Sequence, residues 1–406
     1  MPEKIALIEG HADKHKRRRW TYKELLCEVE HLATALLSPF EQGDRIGIYA
    51  ANSPEWIILH YAIGAAGLIS VPINPAYTKT ELLEILKTSG ASGIFYDAEY
   101  RGRDLYDELC VVVDQLPCVK KTVSMSDLQR FVSESTKVVD LPRVDYRNTV
   151  LIQFTSGTTG VPKGAQLHHH GVVNVGRSIT ERAGFDSGGV WINPLPMYQI
   201  AGSCVTLLGT LNAMGTYVVL NYFQPELMME LIESEGCTGT LLVPTMIHAM
   251  LALPDFQNYN TSSLAFILTG AADVPPSLIE QTKSAFNCDI GIQYGQTEAN
   301  GTLCQTYPND SLLDLTTSVG PPLSHAEICI VDQHSNDILP FDTAGEIAFR
   351  GYQAMRGYYN REDQQDIVFG DGWIRTGDIG QMDQRGYVKV TGRSKDVIIC
   401  ISSDQI

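Results

Sequence analysis

From residue 153 to residue 164 the chain reads Gln-Phe-Thr-Ser-Gly-Thr-Thr-Gly-Val-Pro-Lys-Gly. Four hydroxyl residues (Thr155, Ser156, Thr158, Thr159) and three glycines (Gly157, Gly160, Gly164) surround one lysine, Lys163. Hydroxyls and uncovered backbone N–H groups donate to phosphate oxygens, glycines permit close approach, and an ammonium balances the charge. The run predicts a loop over 155–164 that wraps a polyphosphate. Its spacing is neither that of a Walker A loop nor G-x-G-x-x-G, so a nucleotide site of another kind is implied. A Ser/Thr/Gly-rich surface turn is the plain alternative, but it gives Pro162 and Lys163 nothing to do.

Other clusters carry chemistry with less force. Tyr294-Gly-Gln-Thr-Glu298 offers an aromatic face, a tight turn at Gly295, the Thr297 hydroxyl and a carboxylate. A carboxylate beside a triphosphate holds Mg²⁺ through oxygen. In Thr376-Gly-Asp378 the carboxylate could accept both hydroxyls of a ribose, although an Asp capping a turn is common. Gly270-Ala271-Ala272 places small residues where backbone can approach a flat ligand. Adjacent histidines point in different directions, so His168, His169 and His170 read as a solvent-facing entry to a helix starting near Val172, not as one metal site. Tyr217, Trp191 and Met197 read as core or pocket wall.

The elements that must position these groups alternate. Apolar strands at Arg45–Tyr49, Gly93–Tyr96, Thr216–Leu220, 240–243, 266–268 and 289–293 are separated by helical stretches such as 225–236 and 276–286. This is the texture of α/β layers with largely parallel sheets. Residues 150–154 read as a buried strand feeding the hydroxyl loop, and the polar stretch 124–145 as a bridge between layers. Beyond residue 318 short strands and tight turns, among them Asp371-Gly372 and Arg385-Gly386, suit a small β-barrel. The divisions expected are a first α/β subdomain over 1–145, a second over 146–318, a barrel over 319–393 and a hinge over 394–406.

Composition narrows the function. The 406 residues carry 30 Lys and Arg against 47 Asp and Glu, a net charge of −17. That balance argues against nucleic acid and anionic membrane as partners. Any anion site must be locally positive, and Lys163, Arg375 and Arg393 are the candidates. The nine cysteines show no C-x-x-C pair, which excludes the usual zinc spacings and fits reduced thiols in an intracellular protein. The apolar stretch 56–73 is interrupted by His60, Gly64, Gly67 and Pro72, so it reads as a buried helix running into a strand and not as a membrane span. The basic run Lys14-His-Lys-Arg-Arg-Arg19 reads as a solvated turn more readily than as a localisation signal.

Taken together, the hydroxyl loop, Gly270-Ala-Ala272, Tyr294-Gly-Gln-Thr-Glu298, Gly345-Glu-Ile347, Trp373-Ile-Arg-Thr-Gly-Asp378 and Gly392-Arg-Ser-Lys-Asp396 resemble, in order and over most of the chain, the motifs of the adenylate-forming superfamily. Within it Asn74-Pro-Ala-Tyr77 and Pro254-Asp-Phe256 are similar to the medium-chain acyl-CoA synthetases. The resemblance implies two α/β subdomains, a barrel, and a mobile C-terminal domain beyond a hinge at Lys395 that these residues do not reach. It implies ATP, Mg²⁺ and CoA as cofactor and co-substrates, with a small carboxylic acid as the partner. Thr155, Ser156, Gly157, Thr158, Thr159, Gly160 and Lys163 would grip the phosphates. Gly270, Ala271, Ala272, Tyr294 and Gly295 would hold adenine, with Tyr294 stacking on it. Asp378 and Arg393 would take the ribose, Thr297 the α-phosphate and Glu298 the metal. Lys163, Thr297 and Glu298 would be catalytic.

The segment Pro196-Met-Tyr-Gln-Ile-Ala-Gly-Ser203 is similar to the family's approach to the acyl pocket, with Gln199, Gly202 and Ser203 as the substrate contacts. No Asp stands there to pair with a substrate ammonium, so a neutral acyl tail is favoured over an amino acid. Gln199 replaces the family's usual histidine and cannot carry positive charge. The resemblance therefore implies ATP-dependent activation of a fatty acid, medium-chain by likeness, to acyl-adenylate and acyl-CoA, impaired in a chain lacking the C-terminal domain. A non-catalytic ATP- or acyl-binding protein and a ligase with another thiol acceptor remain open. A cytoplasmic or mitochondrial location is implied.

Overall fold

The helix Pro54–Ala65 shows how the layers are held. Ser53 caps it by accepting from Trp56 N, and Pro54 occupies its first turn. Trp56, Ile57, Leu59, Ala62 and Ile63 are fully buried, so the helix is wrapped on nearly all sides. It runs into the strand Ile69–Ile73, as expected from the broken apolar stretch. At roughly 1.5–3 kcal/mol per large apolar side chain, such burial is the main driving force for stacking the layers. In the computed structural model, which describes residues 1–135, 140–155, 162–360 and 367–394, no helix is long and apolar enough to cross a membrane.

Two mainly parallel sheets flank this core. One runs in the order Lys163–His168, Thr149–Thr155, Ile69–Ile73, Arg45–Tyr49, Gly93–Tyr96, Lys121–Ser124. The other runs Cys304–Gln305, Asp289–Tyr294, Phe266–Gly270, Gly239–Leu242, Val190–Asn193, Thr216–Leu220, Ile5–Gly10, Arg19–Thr21. The third sheet is antiparallel and curls as a half-barrel from Ala326–Val331, Gly345–Gly351, Trp373–Met382, Val368–Phe369 and Val388–Arg393. The α/β class with a barrel-like third unit is therefore present.

Sheet membership crosses the expected division at residue 145. Strand Ile5–Gly10 pairs in parallel with Thr216–Leu220, and Ser70 sits opposite Leu151. Each sheet thus borrows strands from the far side of that point, because a strand's apolar pattern records its burial and not its neighbour. The stretch 124–145 is more than a polar bridge: the helix Leu128–Ser133 turns Leu128 into the central core. The basic run forms the expected turn between strand Ile5–Gly10 and strand Arg19–Thr21, but Arg17 is buried. Residues 225–235 and 276–286 are helices, closed by Gly236 and Asn287 in left-handed conformation.

His60 lies in the buried helix with its Nδ1 3.1 Å from Ser70 Oγ and its ring stacked on Trp56. Burial, with His169 adding to it, pushes its imidazole down from 6.5 to about 4. The folded state therefore keeps His60 neutral where the unfolded chain takes up a proton. Stability from this group is complete above pH 6.5 and is lost as pH falls toward 4. The loss between about pH 7.5 and about pH 4.5 is expected to be about 2–3 kcal/mol. Urea midpoints of the wild type and a His60→Gln chain across that range check it: the variant's curve should be flatter by that amount, and parallel curves would refute it.

Candidate nucleotide and acyl site

Strands Thr149–Thr155 and Lys163–His168 form an antiparallel hairpin in which Lys163 lies opposite Thr155. The hydroxyl run joins them. Lys163 and Gly164 belong to the return strand and not to the loop, because the ladder closes at Lys163 and Gly164 pairs with Phe154. Ser156, Gly157, Thr158, Thr159 and Gly160, like Lys395, lie outside the described residues. Thr155 Oγ1 donates to the Lys163 carbonyl at 3.5 Å.

Two further motifs end neighbouring strands of the other sheet. Gly270 closes strand Phe266–Gly270 opposite Gln293, and Tyr294 closes strand Asp289–Tyr294. Carboxyl ends of parallel strands are where open α/β sheets bind ligands. Both glycines are required by close approach: a Cβ on Gly270 would overlap the Gln293 carbonyl, and one on Gly295 would overlap the Gly301 carbonyl and Thr302 Cα. Ala271 holds φ +62°, a conformation alanine seldom adopts, and both Ala271 and Ala272 are exposed. Thr297 and Glu298 start a short 3₁₀ turn.

The half-barrel delivers the remaining groups to this edge. Asp378 pairs in register with Arg393 on the adjoining strand. The Arg393 guanidinium Nε lies 3.2 Å from Asp378 Oδ1, and the Tyr294 hydroxyl donates to Asp378 Oδ2 at 2.6 Å. Asp378 is buried while Arg393 is two-thirds exposed. Burial, then the Asp378 charge, pushes the Tyr294 phenol well above its ordinary range, so it stays a donor. Tyr294, Asp378 and Arg393, far apart in sequence, thus meet.

A second cluster forms around a residue the motifs do not flag. The Tyr358 hydroxyl donates to Glu298 Oε1 at 2.7 Å, and Lys163 Nζ sits 5.3 Å from the centre of the Tyr358 ring. The Met355 N–H donates to the Glu298 carbonyl at 2.8 Å, fixing its backbone. The two-tyrosine string Gly357-Tyr358-Tyr359 carries no spacing that announces this role. Arg375, a sequence candidate for the anion site, is not free for it. It pairs with Glu346 and bonds Asn336 inside the half-barrel, and Glu346 in turn accepts from Gly377 N at 3.0 Å. Sheet pairing of Gly345–Gly351 with Trp373–Met382 puts Glu346 beside it, which no local pattern reveals.

The acyl segment is built by backbone. Gln199 O accepts from Gly202 N and Ser203 N, both at 3.1 Å, and from Ser203 Oγ at 3.0 Å. Ser203 and Gly202 are buried and Gln199 is exposed. Ala201–Thr206 is a turn of π-helix leading into helix Leu207–Asn212; such turns are frequent at functional sites. Gln153 Nε2 donates to Tyr198 O at 2.9 Å, tying this segment to the strand that feeds the hydroxyl loop. Asn52, not flagged by sequence, staples it from the other side: its Oδ1 accepts from Met197 N at 2.7 Å and its Nδ2 donates to Leu195 O at 2.8 Å. Tyr217, Trp191 and Met197 are fully buried. The histidines differ from expectation. Their helix begins at His169, and His168 caps it by accepting from Gly171 N. Among the described residues no cluster of His, Cys, Asp and Glu could hold a metal, and all eight cysteines are unpaired.

Comparison with known proteins gives this arrangement its family. The model for AMP-binding enzymes matches residues 1–359. The chain belongs to the AMP-binding enzyme family. It is 32% identical over 425 residues to the mouse mitochondrial medium-chain acyl-CoA ligase ACSF2, covering 95% of this chain and 68% of that protein. It is also 32% identical to the acyl-CoA ligase SID4 of Ajellomyces capsulatus, over 94% of this chain and 69% of the relative. In structure it is similar to ATP-bound MatB from Rhodopseudomonas palustris, with a TM-score of 0.88 and 25% identity over 98% of this chain and 77% of MatB. The inhibitor-bound N-terminal domain of FACL13 from Mycobacterium tuberculosis matches with a TM-score of 0.86 and 25% identity, over 97% and 96% of the two chains. The chain is by family an acid–thiol ligase of the AMP-forming type, and acyl-CoA ligases of this family use ATP and CoA.

Proposed function

We propose that the chain binds MgATP and a fatty acid, medium-chain in length, and transfers the adenylate of ATP to the acid before CoA takes the acyl group. The observation that carries this is a pair of clusters, Asp378 with Tyr294 and Arg393, and Tyr358 with Lys163 and Glu298, linked by the short segment Tyr294–Glu298. In the first step the fatty carboxylate attacks the α-phosphorus and pyrophosphate leaves. In the second the CoA sulfur attacks the acyl carbonyl and AMP leaves. Both depend on positioning and on charge neutralisation.

The residues have separable tasks. Asp378 accepts from the ribose hydroxyls when the Tyr294 hydroxyl yields its place, and Arg393 steadies the carboxylate. Tyr294, Gly270, Ala271, Ala272 and Gly295 bound the adenine. Lys163 with the hydroxyl loop, Ser156 to Gly160 included, neutralises phosphate, and Thr297 donates to the α-phosphate. The donor set fits Mg²⁺ carried in with the nucleotide and not a protein cage. Among the described residues it holds a single carboxylate, Glu298, whose Oε2 has no hydrogen-bond partner, and no larger acidic cluster. Mg²⁺ bound there would supply further charge neutralisation on the phosphates. Gln199, Gly202 and Ser203 border the acyl chain, and the buried apolar run around Val205 suits a neutral tail. The mitochondrial relatives support a mitochondrial site of action, and Lys395 is the proposed hinge.

Calorimetric titration with MgATP, then with octanoate, tests the reading. Saturable binding of both is expected, and no heat from MgATP would overturn it. An Asp378→Asn chain should bind MgATP about tenfold more weakly, since hydrogen bonds to a charged acceptor are worth about 1.5–3 kcal/mol. Equal affinity would remove Asp378 from the ribose site.

A further inference from the structure

Lys163 and Glu298 carry opposite charges at the same edge of the molecule, yet they form no ion pair among the described residues. Tyr358 stands between them. One face of its ring takes the Lys163 ammonium at 5.3 Å, and its hydroxyl takes Glu298 Oε1 at 2.7 Å. A direct lysine–glutamate pair would be self-satisfied, leaving neither charge for a ligand. With a tyrosine interposed, the ammonium is held by a weak cation–π contact and the carboxylate by one neutral donor, and neither charge is cancelled by the other.

The tyrosine is itself fixed by backbone. Tyr359 N donates to Gly164 O at 2.8 Å, Gln166 N to Gly357 O at 3.0 Å and Arg356 N to Gln166 O at 2.8 Å, so residues 356–359 run along the edge strand that carries Lys163. Ala165 and Tyr358 form a β-bridge. Tyr358 therefore moves with the hairpin of the hydroxyl loop, while Glu298 belongs to the other sheet's edge.

We propose that Tyr358 is a positioning residue that holds Lys163 and Glu298 apart and aims Glu298 Oε2 at the metal carried by the nucleotide. The inference rests on the MgATP reading above. Partners that orient a metal-binding carboxylate are typically worth 10–100-fold in metal affinity.

The test uses the 406-residue chain and compares ATP affinity in EDTA with affinity in excess Mg²⁺; the ratio is the gain from the metal. In Tyr358→Phe the ring is kept and one oxygen is lost. The gain should drop about tenfold, with affinity in EDTA unchanged. In Tyr358→Leu the ring is lost as well, Lys163 and Glu298 can pair, and affinity in EDTA should fall too. A Tyr358→Phe/Glu298→Gln chain should show no smaller gain than Glu298→Gln alone, because the hydroxyl acts only through that carboxylate. With the far-UV spectrum of the wild type retained, an unchanged gain in Tyr358→Phe overturns the inference and leaves the MgATP reading standing. A wild type that binds no MgATP overturns both.

Discussion

A Glu298→Gln chain is expected to bind MgATP about a hundredfold more weakly than the wild type, while its affinity for ATP in EDTA does not fall. The argument is one of charge at constant shape. Glutamine fills the same space and keeps an oxygen to accept the Tyr358 hydroxyl, so the contact at 2.7 Å survives and the 3₁₀ turn at Thr297–Ala299 is undisturbed. What disappears is the carboxylate charge that, among the described residues, stands with Lys163 and Tyr358. Mg²⁺ sheds water reluctantly and needs one or two carboxylates beside the phosphates that carry it. With none, the metal's contribution to binding should collapse. Titration of both chains with ATP in EDTA and in excess Mg²⁺ decides the matter. Equal MgATP affinities would mean that Glu298 faces something other than the metal.

What could be read from the chain alone follows a physical divide. Chain-local signals were legible. Pro225 and Gly236, or Pro276 and Asn287, bracket their helices because proline tolerates a first turn and left-handed residues end one. The hydroxyl run, Tyr294-Gly-Gln-Thr-Glu298 and Asp378 stand out as candidates because their chemistry is concentrated in a few adjacent residues. Pairing across long separations was not. Nothing in Ile5–Gly10 says that it lies beside Thr216–Leu220, and nothing in Thr149–Thr155 points to Ile69–Ile73. The same limit explains Arg375 and Tyr358. Arg375 looks like a free cation until sheet pairing sets Glu346 against it, and Tyr358 looks like filler until folding sets it between Lys163 and Glu298. The choice of partner is made in three dimensions, so a residue type with several possible roles acquires one only there.

The basic run 14–19 makes the same point in energetic form. An Arg17→Met chain is expected to lose about 3 kcal/mol of stability, the low end for breaking a buried ion pair. The Arg17 side chain is 1% exposed and that of Glu235 6%. Arg17 Nη1 donates to Glu235 Oε1 at 2.6 Å and to Ser234 Oγ at 2.7 Å, while its Nε donates to His11 O at 2.7 Å. Removing it strands the Glu235 carboxylate in a buried setting, with, among the described residues, the half-exposed Arg19, 2.8 Å away, left to hold it. That residual partner is why the low end applies. Replacing both members by apolar residues removes the stranded charge, so Arg17→Met/Glu235→Leu should recover most of the loss. Urea unfolding of the two single variants and the double closes the cycle. Were Arg17→Met to cost less than about 0.5 kcal/mol, the level of an ordinary surface substitution, the run would behave as a solvated turn. A full loss with recovery in the double variant would mark it as the clasp joining the first strands to the helix Pro225–Glu235.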